Sequence, residues 1–405
     1  MAVRFLFILD LEMLSVAVGW QIYEITRRAL DLGLAGLAVF LPGLLLFLVG
    51  GHVSDRFNRR SVLLVCFTAF TLCAVLLLAF TLRGLHSVLP IYAVLLATGV
   101  IRVFSSPAMQ AFMPLLVTTE QFPAAAAWSG TTLKIGSILG PVLGGILYAL
   151  RDNPIPVYLA AALGLGLTVL MLSFIRVGGV QQISNGRDWH TMLAGLSYVW
   201  RNKMILGATS MDLFAVLLGG AVALLPIFAR EILHSGPRGL GLLRAAPGAG
   251  AAMVALWLAW RPLHRRAGLK MMTAVSLFGL ATIVFGLSRN LWLSALALFI
   301  VGAADMISVI VRSTLVQLAT PDEMRGRVSA VNVLFIGTSN EFGEFESGVT
   351  AHWFGAVPAV VLGGLGTLAV VGIWSWLFPV LRNVDRLTDE SLAVAAAEEE
   401  IADAR

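Results

Sequence analysis

The sequence predicts an all-α membrane protein with twelve transmembrane helices arranged as two related bundles of six. Three observations predict this fold class: a very apolar composition, long apolar stretches from end to end, and charged and small residues that recur after about half the chain. Of the 405 residues, 58% are hydrophobic and only 13% are charged, and the mean hydropathy is +0.88. An ordinary soluble domain is excluded by this composition.

The apolar stretches define the helices, because each is long enough to cross a hydrocarbon core of about 30 Å. Glycine, proline and charged residues break the chain between them. The predicted spans of the first half are 5–26, 33–53, 61–82, 88–116, 127–150 and 156–176, and those of the second half are 204–229, 239–260, 269–288, 291–319, 328–351 and 356–381. The predicted domains are an N-terminal bundle 1–176, a linker 177–203, a C-terminal bundle 204–381 and a tail 382–405.

The linker and the tail are the segments predicted to lie outside the membrane. From Asp188 to Lys203, aromatic and aliphatic residues recur at helical spacing with polar residues between them. This pattern predicts an amphipathic helix that lies flat on the cytoplasmic surface. The tail is rich in alanine and acidic residues, so we expect it to be solvated and partly helical.

Basic residues in the loops predict the orientation of the chain. Sixteen lysines and arginines fall on one side of the predicted spans, and seven fall on the other: Arg27, Arg28, Arg83, Arg151, Arg230, Arg238 and Arg289. Because the cytoplasmic side carries the excess, both termini should be cytoplasmic. We expect a multi-pass protein of a bacterial inner membrane.

The net charge of +5 does not indicate a nucleic-acid partner, because the basic residues lie in short loops between spans. No phosphate-binding G-x-x-x-x-G-K-[ST] loop is present, so ATP is not expected as an energy source. No His, Cys or carboxylate spacing is typical of a metal site, and no catalytic constellation accompanies the charges inside the spans. We therefore expect no cofactor, no metal and no enzymatic activity.

Charged residues inside the spans recur between the two halves. Asp10 corresponds to Asp212 at an offset of 202, and Arg102 corresponds to Asp305 at 203. Because a charge at the centre of a membrane helix costs about 2.5–3.5 kcal/mol, such residues are functional candidates. We expect all four, with Glu12, to bind substrate or protons; a buried pair that fixes helix register is the alternative for Arg102 and Asp305.

Two further basic residues, Lys134 and Arg312, lie within spans but near their predicted cytoplasmic ends. Long basic side chains in such positions usually extend to the membrane surface. We therefore expect both to be exposed there rather than to form part of a site.

The eleventh predicted span contains three acids in the stretch SNEFGEFESG, residues 339–348. At an offset of 203 this stretch aligns with GSILGPVLGG, residues 136–145, and small residues coincide at four places. Because small residues let membrane helices approach closely, we expect the acids to face protein or a wet cavity. Glu341 and Glu344 share a helical face and are candidates for binding protons or substrate, with an interhelical hydrogen-bond lock as the alternative.

The stretch GHVSDRFNRR follows the second span and resembles the loop signature G-x-x-x-D-R-x-G-R-R of the major facilitator superfamily. Asn58 stands where that family usually has glycine, and asparagine also tolerates a left-handed turn. An acid among arginines can form a charge cluster whose formation or loss biases the conformation. We expect this gating role for Gly51, Asp55, Arg56, Arg59 and Arg60; the alternative is simple anchoring by positive charge.

The fifth span also resembles a motif of that superfamily, G-x-x-x-G-P-x-x-G-G, which is associated with its exporters and antiporters. Proline among glycines predicts a kinked helix that packs closely at the junction of the two halves. The residues expected to act in conformational gating are Gly136, Gly140, Pro141, Gly144 and Gly145. Generic packing of small residues is the alternative.

The resemblance extends over nearly the whole chain, and within the superfamily it is greatest to bacterial exporters related to the enterobactin exporter. It rests on residues 16–26, 104–117, 320–332 and 339–348. The resemblance implies a major facilitator fold and a monomeric secondary transporter that exports a small, amphipathic or siderophore-like molecule by proton antiport. An importer, a lipid-type flippase and a non-transporting membrane protein are the alternatives.

Overall fold

The computed structural model describes residues 1–175, 189–261 and 266–384. Its long helices are α1 (Ala2–Thr26), α2 (Ala29–Arg56), α3 (Arg59–Leu82), α4 (Leu89–Phe112), α5 (Phe122–Arg151), α6 (Ile155–Phe174), α7 (Trp189–Arg201), α8 (Lys203–Gly219), α10 (Gly236–Trp260), α11 (Ala267–Leu287), α12 (Leu291–Leu318), α13 (Asp322–Phe354) and α14 (Ala356–Leu377). The short helices are α9 (Leu225–Ile227) and α15 (Pro379–Asn383). All twelve predicted spans are therefore helical, and the prediction of an all-α membrane fold is confirmed.

Ten of the described helical segments are long and apolar enough to cross a membrane. The other two predicted spans correspond to α1, with 25 residues, and α13, with 33 residues. Both exceed the roughly 20 residues that a span needs. Both carry acids that the sequence marks as functional candidates.

The chain forms two compact units. Unit 1 consists of Met1–Arg187 together with Ala223–Ala245, and unit 2 consists of Asp188–Val222 together with Ala246–Arg405. In unit 1, α1 packs mainly against α5 and α6, while α4 packs against α2 and α3. In unit 2, α11 packs between α12 and α14, and α8 packs against α13 and α14.

The seventh span differs from the prediction of one continuous helix over 204–229. After α8 ends at Gly219, a 3-10 turn (Val222–Leu224), α9 and a π-helical turn (Phe228–Ile232) complete the span. Side chains of unit 2 bind the carbonyls of α8 near this interruption: the Ser347 hydroxyl donates to Gly220 O at 2.5 Å, and the Thr367 hydroxyl donates to Ala215 O at 2.9 Å. The broken backbone is thus partly satisfied within the protein, as a membrane interior requires.

The helix predicted from Asp188 to Lys203 is confirmed as α7. It packs against α13, and the Tyr198 hydroxyl donates to the carbonyl of Ala319 at 2.9 Å. Gly195 allows the close approach, because a Cβ there would lie 2.9 Å from the carbonyl oxygen of Arg327. Its position on the membrane surface stays a prediction, and the acidic tail over residues 385–405 lies outside the described residues.

Candidate transport site and gating contacts

Asp10 lies deep in unit 1, on α1. The residue is 2% exposed, and its carboxyl group rests on Gly164 of α6. A Cβ on Gly164 would overlap both carboxylate oxygens, so only glycine leaves room for the acid in this position. Within the part of the chain that the structure describes, Oδ2 has no hydrogen-bond partner.

Glu12, one turn from Ser15 on α1, lies in a group of charged residues. Arg102 of α4 and Arg244 of α10 are the basic groups whose charges act on its carboxyl. Arg244 also donates from Nη2 to the Ser15 hydroxyl at 2.5 Å. Unit 1 therefore brings the predicted site residues Glu12 and Arg102 close to Arg244, which the prediction missed.

Arg244 could have been found from the sequence. It stands in the apolar stretch GLLRAAPGAG inside the eighth predicted span, and the rule that ionisable residues within spans are functional candidates applies to it as it does to Arg102.

The glycines of the fifth-span motif allow α5 to approach α1 closely within unit 1. A Cβ with ideal geometry on Gly136 would lie 3.0 Å from Ile8, one on Gly140 would lie 2.8 Å from Leu9 O, and one on Gly144 would lie 3.0 Å from Met13 O. The distance at Gly140 is too short for a side chain unless the helices move apart, and those at Gly136 and Gly144 are tighter than most side-chain contacts, so the small residues favour the close approach.

Gly145 and Pro141 of the same motif meet a different helix, the first part of α10. A Cβ on Gly145 would lie 2.5 Å from the carbonyl oxygen of Pro237, and a Cβ on Gly241 would lie 2.5 Å from that of Pro141. The motif thus joins α5 to α1 on one side and to α10 on the other, all within unit 1.

Charged and aromatic residues link α1 to the end of the seventh span in unit 1. Arg230 pairs with Glu24 at 3.2 Å and stands over the ring of Trp20, 5.4 Å from its centroid. The Tyr148 hydroxyl donates to the second oxygen of Glu24 at 2.8 Å.

The hydroxyl of Tyr23 donates to the carboxylate of Glu231 in the same region. Sequence reasoning missed these contacts, because residues near predicted span ends gave no reason to pair them.

The stretch Gly51 to Arg60 is mostly helical rather than a loop. Gly51, Asp55 and Arg56 lie at the end of α2, and Arg59 and Arg60 begin α3. The side chain of Asp55 lies outside the described residues, so its predicted charge cluster stays a prediction.

Asn58 corrects one expectation about this stretch. Its φ of −60° and ψ of 115° are extended rather than left-handed, and its side-chain oxygen accepts hydrogen bonds from the backbone N–H groups of Arg60 and Ser61. Asparagine is therefore the N-cap of α3, a role that glycine fills without the side-chain bond.

The arginines at the start of α3 bind the last carbonyls of two neighbouring helices. Arg59 donates to Ala111 O at 3.1 Å, and Arg60 donates to Ser173 O at 2.5 Å. Because the carboxyl ends of helices carry unsatisfied carbonyls and a partial negative charge, these contacts hold the ends of α4 and α6 against α3.

Asp212 forms a buried ion pair in unit 2. Its Oδ2 lies 3.2 Å from Arg312 of α12, and its Oδ1 accepts a hydrogen bond of 3.0 Å from the Ser308 hydroxyl. Arg312 also donates to the side-chain oxygen of Asn332 on α13, at 3.0 Å.

Arg312 is 2% exposed, so the prediction that it extends to the membrane surface is wrong. The pairing with Asp212 explains the error, since the distance between α8 and α12 cannot be read from spacing along the chain.

Asp305 lines a small cavity in unit 2 with Asp212 and Ser308; its remaining walls are apolar. The cavity has a volume of about 10 Å³, which is close to the space that one water molecule needs. Asp212 and Asp305 thus lie beside one another in unit 2, and their binding roles stay predictions.

The acids of α13 are half-buried. Glu346 accepts a hydrogen bond of 2.6 Å from the Thr350 hydroxyl. Gly343 lies against α8, where a Cβ would be 3.0 Å from Leu217 O. The predicted close packing at the small residues of this stretch is confirmed, whereas the binding roles of Glu341 and Glu344 stay predictions.

The comparison with known families decides the class of this protein. A family profile described as the Major Facilitator Superfamily matches residues 1–343. The chain belongs to the major facilitator superfamily. The predicted fold and family are thereby confirmed, and this facilitator is a membrane transporter rather than an enzyme.

Curated relatives and solved structures agree with this assignment. The enterobactin exporter EntS of Citrobacter koseri is 29% identical over 373 residues, which are 90% of this chain and 84% of the relative. EntS of Shigella boydii is 28% identical over the same shares.

A structure of a bacterial homologue of the human lysosomal transporter Spinster has a TM-score of 0.72 at 12% identity, over 97% of this chain and 96% of that one. A D-xylose–proton symporter has a TM-score of 0.66 at 13% identity, over 93% of this facilitator and 96% of the symporter. At these identities the structures show the shared fold alone.

Proposed function

We propose that this facilitator exports a small, amphipathic, siderophore-like molecule from the cytoplasm in exchange for protons. The observation that carries the proposal is the similarity, over 90% of the chain, to relatives named enterobactin exporter. We propose that it works as a monomer in the inner membrane of a bacterium, with both termini in the cytoplasm.

Ionisable side chains of both signs support a polar binding site among apolar helices. Unit 1 offers Glu12 with Arg102 and Arg244, and unit 2 offers Asp305 beside Asp212. An amphipathic molecule with anionic or hydrogen-bonding oxygens could bind the basic groups while its apolar part contacts helix faces. We propose that these residues, with Asp10, Glu341 and Glu344, bind substrate or protons.

The proposed mechanism is alternating access by two six-helix halves. The close contacts of Gly136, Gly140, Gly144 and Gly145 support gating by α5, because a helix held by backbone contacts can occupy only discrete positions. The carbonyl contacts of Arg59 and Arg60 support a second gating element at the start of α3.

The test uses everted membrane vesicles from cells that express the chain, with enterobactin as the probe. Acidifying the vesicle interior should drive enterobactin into the lumen, since uptake into an everted vesicle corresponds to export from the cell. A gradient of one pH unit supports about a tenfold concentration ratio for each exchanged proton. Vesicles that lack the protein give the background.

The same vesicles distinguish the alternatives. An importer on this fold would instead release enterobactin from loaded everted vesicles, and a flippase would move a fluorescent phospholipid between leaflets. A non-transporting membrane protein would do neither. Absence of gradient-driven enterobactin uptake would contradict the proposed export of this substrate.

A further inference from the structure

Two aspartates occupy corresponding positions in the two halves of the chain. Asp10 on α1 and Asp212 on α8 are separated by 202 residues, and they are 2% and 4% exposed. Because the two carboxyl groups are similarly buried, their surroundings can be compared directly. A buried, ionised carboxylate needs a cation or hydrogen-bond donors to compensate for the loss of water.

Asp212 has that compensation. Arg312 lies 3.2 Å from one carboxylate oxygen, and the Ser308 hydroxyl donates to the other at 3.0 Å. An ionised carboxylate is the form that accepts both contacts. Arg312 and Ser308 therefore compensate the charge of Asp212 at its buried position.

Asp10 has neither kind of partner among the residues that the structure describes. Its Oδ2 is buried without a hydrogen-bond donor in the described part of the chain, and a Cβ built on Gly164 would overlap each carboxylate oxygen. The sequence repeat explains why Asp10 has no arginine partner like that of Asp212. At an offset of 203, the position of Arg312 corresponds to Met109, whereas the position of Ser308 is kept as Ser105.

Other ionisable groups on α1 and on the helices that pack near it do not fill this gap. They are Arg4, Glu12, Tyr23 and Glu24 on α1, Asp31 and Arg56 on α2, Arg59, Arg60, Cys66 and Cys73 on α3, Tyr92 and Arg102 on α4, Lys134, Tyr148 and Arg151 on α5, Tyr158 on α6, Arg230 and Glu231 after α9, and Arg238 and Arg244 on α10. Arg4 donates to Ser129, Tyr148 to Glu24 and Tyr158 to Gln21. Among the described side chains, which do not include those of His52 and Asp55, none forms an ion pair or hydrogen bond with Asp10.

We infer that Asp10 is the proton carrier of this transporter, held as the neutral carboxylic acid in the conformation described here. The inference rests on the proposed proton-coupled export and names the group that carries the proton. When the carboxyl group becomes hydrated, its O–H bond breaks, the proton passes to water, and the carboxylate remains until the next proton arrives. Asp212, held by Arg312 and Ser308, serves as a structural contact between α8 and α12.

The position of Asp10 along α1 fits this role. Eight residues, or about 12 Å at 1.5 Å per residue, separate it from the start of α1 at Ala2, which is the predicted cytoplasmic end. Sixteen residues, about 24 Å, separate it from the other end at Thr26. Release toward the nearer side delivers the proton to the cytoplasm, as export by antiport requires.

An infrared titration of the purified protein in lipid tests the inference without a substrate. The parent should show the carbonyl stretch of a protonated carboxyl group at neutral pH, and Asp10→Asn should lack it. Glu120→Gln removes an exposed carboxyl group and is the matched control, which should keep the band. A band that is unchanged in Asp10→Asn would overturn the inference.

The functional arm uses enterobactin in everted vesicles. Asp10→Asn mimics the neutral acid and has no proton to release. Accumulation driven by one pH unit should fall from about tenfold to a ratio near one. Full gradient-driven accumulation in Asp10→Asn would also overturn the inference. Failure of the parent to move enterobactin, with the infrared result as expected, would count against the proposed substrate and not against the protonated Asp10.

Discussion

Replacing Arg312 by methionine tests the buried ion pair of unit 2. Methionine keeps an unbranched side chain of similar length and is the residue at the corresponding position 109 of the other half. The change removes a 3.2 Å ion pair to Asp212 and a 3.0 Å hydrogen bond to Asn332. Of the contacts that Asp212 makes with described residues, the hydrogen bond from Ser308 would remain.

The expected loss is large because one charge would stay buried without its partner. Removing one member of a buried pair typically lowers the free energy of unfolding by about 3–5 kcal/mol. Replacing both partners, as in Asp212→Asn with Arg312→Met, removes the uncompensated charge. The double variant should therefore be more stable than Arg312→Met alone.

The assay is unfolding of the purified protein by SDS in mixed micelles, followed by circular dichroism. Arg289→Met removes an exposed arginine and is the matched control, which should change the free energy of unfolding by less than about 0.5 kcal/mol. A loss in Arg312→Met no greater than that of the control would refute the reasoning, as would a double variant less stable than the single one.

Three further predictions concern gating and coupling. Gly145→Leu should abolish transport, because a side chain there would meet the carbonyl oxygen of Pro237 at 2.5 Å; vesicle uptake measures this, and activity at the parental level would show that α5 and α10 separate freely. Arg230→Met, which removes the 3.2 Å pair to Glu24, should raise the labelling rate of a cysteine introduced at position 20 severalfold, and an unchanged rate would exclude a closing role. Glu344→Gln should abolish gradient-driven uptake while leaving the unfolding curve intact, because Glu344 is then lost from the proposed binding site, and undiminished uptake would remove Glu344 from that site.

The fold could be predicted well because membrane helices depend on local properties. Length and apolarity define a span without knowledge of its neighbours, so the predicted boundaries follow the observed helices closely. The interruption after Gly219 could not be predicted in the same way. Its backbone is held by Ser347 and Thr367, which lie more than a hundred residues away along the chain.

The candidate sites were predictable in part for the same reason. The cost of placing a charge inside a membrane span identifies Asp10 and Asp212 as candidates from the sequence alone. Their different surroundings depend on which helices lie next to α1 and α8. The pairing of Asp212 with Arg312 requires α8 to lie beside α12. The expected surface position of Arg312 followed from its distance to a span end, and that distance carries no information about a partner on another helix.

The central claim is that outward movement of substrate is exchanged for inward movement of protons. The most direct measurement follows a pH-sensitive dye in everted vesicles whose interior has been acidified, before and after enterobactin is added outside. The account predicts that enterobactin entry releases protons from the lumen, so that the internal pH rises in the parent and not in Asp10→Asn. Enterobactin entry with no change in internal pH would contradict it.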